Sequence, residues 1–189
     1  MATLRVITPP AAPISILAAR DHLRADAEEL PSAELSDMIQ AAFSRLDGPD
    51  GVLGRALEPQ VLEYRIDRFA DPICLPLPPL VSVDLIKYID PDGVEQTLAS
   101  FRVFGVGGDG RIEPVFGSSF PATRPLPEAV QITFTAGEVT PTPVQRAILM
   151  HLAWLDQVRA GTADGRFRPD DLPAGYAELI APYRATFIF

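Results

Sequence analysis

Proline constrains this chain more than any other feature. Twenty of the 189 residues are proline, clustered at 9–13, 72–79, 121–127 and 141–143. A proline fixes φ and has no N–H to donate, so it stops helices and stays out of central strands. The clusters therefore act as punctuation, and the segments between them must supply the regular structure.

Those segments fall into three parts. The first is helical. Ser15 can cap a helix over about 15–26, with Ile16, Ala19 and Leu23 on one face. Ser32 can cap a second over about 33–47, where Leu35, Met38, Ile39, Ala42, Phe43 and Leu46 repeat at i, i+3, i+4, i+7, i+8 and i+11. Asp47-Gly-Pro-Asp-Gly51 then stops it. The middle, about 56–137, reads as strands. Residues 61–68 alternate with period two, and Val81–Ile89 is rich in β-branched residues. Asp90-Pro-Asp-Gly93 is a turn, with Val94–Val106 as the returning strand. Val130, Ile132 and Phe134 share one face of another strand. The end is helical again. Pro143 suits a first turn, and Val144, Ala147, Ile148, His151, Leu152, Leu155 and Val158 form one face of a helix over about 143–160. A polar linker over 162–173 leads to a helix over about 174–183. The order does not alternate β-α-β, so the expected class is α+β. The N- and C-terminal helices form a small bundle, with an inserted antiparallel β region and an extended C-terminal arm. Residues 1–184 are expected to make one domain and 185–189 the arm.

Charge and composition remove several classes of function. Sixteen basic against 25 acidic residues leave a formal net charge of −9. A surface that grips DNA phosphates needs clustered positive charge, and here the arginines are scattered. Hydrophobic residues make up 47% of the chain, which excludes general disorder. No run approaches the roughly 18 apolar residues of a membrane span. The start, Met1-Ala-Thr-Leu-Arg-Val-Ile, does not have the form of a signal peptide. One cysteine, Cys74, cannot form an internal disulfide, so a disulfide-built fold is excluded. The expected compartment is reducing and cytoplasmic, or a particle assembled there.

The motifs with chemical meaning do not hold together. Gly105-Val-Gly107-Gly-Asp-Gly110 matches the dinucleotide fingerprint by letter. That fingerprint needs a helix N-terminus after it, to meet the pyrophosphate. Arg111-Ile-Glu-Pro114 follows instead, so the stretch reads as a loop. Asp90–Gly93 begins like a calcium loop, but Phe101 occupies the place of the closing glutamate. His22 and His151 lie far apart in sequence and read as partly buried, hydrogen-bonded side chains. Cys74, followed by Leu-Pro-Leu-Pro-Pro, reads as a buried, inert thiol. Ser118-Ser119 lacks the Gly-x-Ser-x-Gly frame, and the dispersed carboxylates form no evident acid–base pair. No catalytic residue, cofactor or metal is expected.

One feature stands apart: the chain ends on Phe187-Ile188-Phe189. Chain ends are normally solvated. An apolar end either folds back as an edge strand on its own domain or inserts into a neighbour, where repetition in an assembly adds avidity.

The series of motifs resembles the head–tail connector (adaptor) proteins of long-tailed bacteriophages and of phage-like gene transfer agents. It runs through Ile7-Thr-Pro-Pro-Ala-Ala-Pro13, the Ser15 helix ending His22-Leu-Arg24, and Leu46–Leu57. Leu75–Val83, Tyr88–Gly93, Gly110-Arg-Ile112 and Pro121-Ala-Thr-Arg124 follow. Val130–Gly137, Pro143–Trp154 and Leu179–Arg184 close it. The resemblance covers about residues 7–184 and rests on the ensemble, since no single piece is a catalytic signature. It implies a helical bundle with a β-rich insertion, making residues 1–184 a connector domain. It also implies a homo-oligomeric ring, typically twelvefold, beneath the portal protein in the neck of a particle. Such a ring extends the DNA channel, with DNA only as passing cargo, and offers a platform for stopper or tail-completion proteins. The C-terminal segment of such proteins reaches into the portal. Here that points to Tyr183, Arg184, Phe187, Ile188 and Phe189 as partner-binding residues. An acidic chain fits a channel wall that does not hold DNA. Two other readings stay open at this stage: a small enzyme or ligand-binding domain with a site in the β region, resting on the Gly105–Gly110 loop, and a neck component of different fold.

Overall fold

The computed structural model describes residues 2–159, 172–173 and 175–185. The chain divides into two compact units, Met1–Pro10 with Arg55–Glu138 and Ala11–Gly54 with Val139–Phe189.

The first unit is built of strands. Its main sheet has the order β1 (Thr3–Thr8), β2 (Gln60–Ile66), β8 (Val130–Ala136), β4 (Leu80–Ile89) and β5 (Glu95–Thr97), all antiparallel. The central three strands are in a register that stacks apolar side chains in rows. Phe134 lies between Leu62 and Val83, Ile132 between Tyr64 and Ile86, and Val130 between Ile66 and Tyr88. Leu62, Ile86, Val130, Ile132 and Phe134 are all fully buried. Each such side chain contributes roughly 1.5–3 kcal/mol by leaving water. Two bulges interrupt β4, between Leu80 and Ser82 and between Val83 and Leu85. They turn Val81 and Leu85 outward and explain why β4 lacks clean alternation.

A second sheet, in the order β3 (Ile73–Cys74), β7 (Arg111–Glu113), β6 (Arg102–Phe104), belongs to the same unit. The single returning strand expected over Val94–Val106 is therefore corrected. β5 pairs with β4, Leu98 donates its N–H to the Ile86 carbonyl at 2.9 Å, and the chain then leaves for the second sheet as β6. The Leu75-Pro-Leu-Pro-Pro-Leu80 stretch buries all three of its leucines. Its carbonyls at Pro78 and Pro79 accept from Ala56 and Gly137, each at 2.9 Å.

β1 was not anticipated from the sequence. It is an edge strand, half-buried only at Thr3 and Leu4, so it carries no core pattern of its own. Its pairing with β2 is supported by side chains. Glu128 accepts from Thr3 Oγ1 at 3.0 Å and from Arg65 at 3.0 Å, and Arg65 also binds Glu63.

The second unit is helical. It contains α1 (Ile16–Leu23), α2 (Ser32–Ser44), α3 (Thr142–Arg159), α4 (Tyr176–Ile180) and a 3₁₀ turn, Ala181–Tyr183. Ser15 caps α1 as expected, accepting from the Ala18 N–H at 3.2 Å, and Arg24 ends it at φ 56°. The helix thus stops three residues short of 26. Ser32 is not a cap: Pro31 takes that place and Ser32 is the first helical residue. The predicted face of α2 is buried at Leu35, Ile39, Ala42 and Phe43, with Leu46 just beyond. α3 packs against α1, α2 and α4 through Val144, Ala147, Ile148, His151 and Leu152. Its last predicted core position, Val158, is exposed. The helix expected over 174–183 is split into α4 and the 3₁₀ turn, where Pro182 follows Ala181. The expected linker at 162–173 lies outside the described residues except for 172–173.

Candidate partner-binding surface

The end of the helical unit is held by a glycine turn. After α2, the Val52 and Leu53 N–H groups return to the carbonyls of Arg45 and Leu46 at 2.9 and 3.4 Å. A Cβ on Gly51 would collide with the Asp47 carbonyl, so only glycine lets the turn close this tightly. The Leu53 carbonyl then accepts from the Ala185 N–H at 2.8 Å. That bond pins the chain as it leaves the 3₁₀ turn. Tyr183 is half-buried, and Arg184 is exposed with extended backbone. The structure thus brings Tyr183 and Arg184 together on one segment. Phe187, Ile188 and Phe189 lie outside the described residues.

Beside this segment is a groove of about 370 Å³, lined by Arg45, Val52, Pro173, Tyr176, Ile180 and Arg184 among others. It is an amphipathic cleft, with two guanidinium-bearing side chains over apolar walls. Tyr176 is buried, which pushes its phenol up in pKa, while the Arg45 charge opposes the shift. His151 lies beneath, its ring 6.0 Å from that of Tyr176 and 5.8 Å from that of Trp154. It hydrogen-bonds the Ala42 backbone, and its Nδ1 has no partner among the described residues. Burial first, and then Arg45, hold its pKa below the ordinary value. His22 is half-buried on α1, with Nδ1 3.5 Å from Arg146 Nη1. Burial and that arginine lower its pKa too. No group of three or more potential metal ligands occurs among the described residues.

The other motifs resolve into turns. Gly105–Gly110 connects β6 to β7 and is packed against β4. Leu80 donates to the Gly108 carbonyl at 3.0 Å and accepts from Gly107 at 2.8 Å. Strand, not helix, follows, so the context that phosphate binding requires is not formed. At Asp90–Gly93 the Asp90 carboxylate accepts from the Val94 N–H and from Gln96, both at 2.9 Å. Those bonds, the first the larger, hold its pKa below the usual carboxylate range.

Cys74 requires a correction: it is exposed, not buried. The apolar run around it suggested an interior, but β3 alternates, and it is Ile73 that faces inward, pairing with Ile112. The outward face of this small sheet carries Cys74, Phe104 and Arg111, with Arg102 and Arg111 5.2 and 5.3 Å from the Phe104 ring centre.

One surface residue was missed in the sequence. Phe116 is 90% exposed, the most exposed large apolar side chain among the described residues. The available signal was an aromatic residue immediately before Gly117-Ser-Ser119, a place where a turn leaves no core to enter.

Among the described residues no helix is long and apolar enough to cross a membrane. The architecture is an α+β chain with a groove beside the end of the helical unit and an exposed Phe116 at a hydrogen-bonded turn. No protein-family model and no curated protein matches the chain. Among solved structures, its fold is similar to that of a chain in the neck of an empty gene transfer agent (GTA) particle computed with C6 symmetry. That chain is 24% identical, with a TM-score of 0.75 over 99% of this chain and 97% of the other. The fold is similar as well to a chain in the virion of a native GTA particle, at 24% identity and TM-score 0.74. A chain in the neck of a native GTA particle computed with C12 symmetry gives 23% and 0.73. Both cover 99% of this chain and 97% of the other.

Proposed function

We propose that this chain is a structural ring subunit of the neck of a tailed phage or phage-like particle, a head–tail connector without catalytic activity. The observation that supports this most is the fold held in common, end to end, with chains of GTA necks and of a GTA virion. Copies arranged about the particle axis form a ring, twelvefold in the particle. The ring docks on the portal, extends the DNA channel and receives the stopper or tail-completion protein. The portal contact uses the C-terminal segment, with Tyr183 and Arg184 at its root and Phe187, Ile188 and Phe189 as the inserted apolar group. The Ala185–Leu53 bond supports this reading by fixing where the segment leaves the helical unit. Aromatic side chains such as the two phenylalanines of this arm are enriched at protein interfaces.

Deleting residues 186–189 removes all of the arm except Ala185 and so spares every described contact. The expected outcome is a folded protein, with unchanged circular dichroism, that no longer enters particles, leaving DNA-filled heads without tails. Normal tailed particles would remove the arm from the proposal. Electron microscopy that placed the wild-type chain away from the capsid–tail junction would overturn the function itself.

A further inference from the structure

The groove at the end of the helical unit and the chain that leaves beside it belong together by tether, reach and chemistry. The Ala185 N–H is held by the Leu53 carbonyl at 2.8 Å. Arg184, which precedes Ala185, and Val52, which precedes Leu53, both wall the groove. Residues 186–189 therefore set out from its rim. Four residues reach at most about 14 Å when fully extended, long enough to lie across a groove of about 370 Å³. Three of the four are Phe187, Ile188 and Phe189. The groove offers them apolar walls at Val52, Tyr176 and Ile180, with Arg45, Glu178 and Arg184 as its charged groups. A guanidinium beside a phenyl ring is an attractive pairing. The β unit already uses it, with Arg102 and Arg111 5.2 and 5.3 Å from the centre of the Phe104 ring.

We infer that in the free subunit Phe187, Ile188 and Phe189 lie in the Arg45–Tyr176–Arg184 groove of their own chain. That this shelters the arm until it meets the portal rests on the function proposed above. Covalent attachment selects this occupant. A short tether gives an effective concentration of about millimolar, and no translational freedom is lost when the segment docks. A second copy or another protein has first to be brought there from dilute solution. Left in water, the three side chains would give every subunit an exposed apolar end. Folded back, they bury that surface without a partner. Three side chains bury little area, so a larger apolar contact can take them over.

Disulfide trapping in the full-length chain tests the contact. Cys74, the only cysteine, is first replaced as Cys74→Ser. Ile188→Cys is then paired with Val52→Cys on the groove wall. In a control it is paired with Leu17→Cys, which is exposed on α1 and does not line the groove. Under mild oxidation of the dilute monomer, the 188–52 link should form within one chain at least about tenfold faster than the 188–17 link. Equal rates, no 188–52 link, or a link only between chains would overturn the contact. A second measurement needs no cysteine. Backbone hydrogen exchange in α4 should be slower in the full chain than in the chain lacking residues 186–189. Identical exchange overturns the contact even if the cysteine variants do not fold. The 188–52 pair also separates this contact from the portal reading. A fast link that persists in the intact neck keeps the contact and removes the arm's portal role. A free chain that links no faster than the control removes the contact and leaves the portal role standing.

Discussion

His151 shows how a single buried side chain can set a solution property of the whole protein. Its ring is packed by Trp154 and Tyr176 and faces the Arg45 charge, so its protonated form is disfavoured in the folded state. The folded pKa therefore lies below the ordinary 6.5. Between the two values the unfolded chain binds a proton that the folded chain does not, so stability rises with pH through that window. The protein should melt at a lower temperature at pH 5 than at pH 7.5. His151→Leu should flatten that dependence, leaving the slope of the same sign that His22 contributes. Thermal melts across the range check this, and an unchanged slope in His151→Leu would remove His151 as the cause. Sequence reasoning identified this residue as core, because its place at i+7 on the α3 face is set by helical period alone.

At the scale of elements, the glycine loop is the informative case. Gly105–Gly110 carries the letters of a nucleotide motif, yet its glycines allow the loop to approach β4. A Cβ on Gly110 would lie 2.5 Å from Leu80 Cδ2 and 2.8 Å from Leu80 Cβ. Leu80 is buried and bonded to the same loop on both sides, so it cannot move away cheaply. Gly110→Ala should destabilise the protein by about 1–3 kcal/mol through overpacking, measured as a lower urea midpoint. A variant of wild-type stability would mean that the loop is not seated on β4. The same element logic explains the strand misread in the sequence. Val94–Val106 carries β-forming residues on both sides of Ala99-Ser100, but composition does not say that residues 95–97 and 102–104 join different sheets. That choice is made by the partners available, β4 for one and β7 for the other.

At the scale of the whole molecule, charge decides what the protein can hold. Twenty-five acidic against 16 basic residues give no long-range attraction for a polyanion. Several arginines are also engaged by carboxylates: Arg65 with Glu63 and Glu128, Arg55 with Glu138, Arg102 and Arg111 with Glu113. The purified chain should leave duplex DNA unshifted in fluorescence anisotropy even at low salt, where counterion release most favours binding. Salt-sensitive binding would contradict the proposed role of a channel wall that lets DNA pass.

The sequence alone determined the class, most of the helices and the buried stripes. Those follow from local periods, such as Leu35–Leu46, Val144–Leu152 and Val130–Phe134, which a chain cannot alter without exposing apolar surface. It also determined the Ser15 cap and the Asp90–Gly93 turn, because both are closed by bonds between near neighbours. Tertiary structure decided what depends on distant partners. It made β1 a strand by giving it β2, and placed β5 and β6 in separate sheets. It turned Cys74 outward because Ile73 was needed against Ile112. It also left Phe116 in solvent: the turn signal at Gly117-Ser-Ser119 is local, but whether a distant element covers the ring is decided by the tertiary fold.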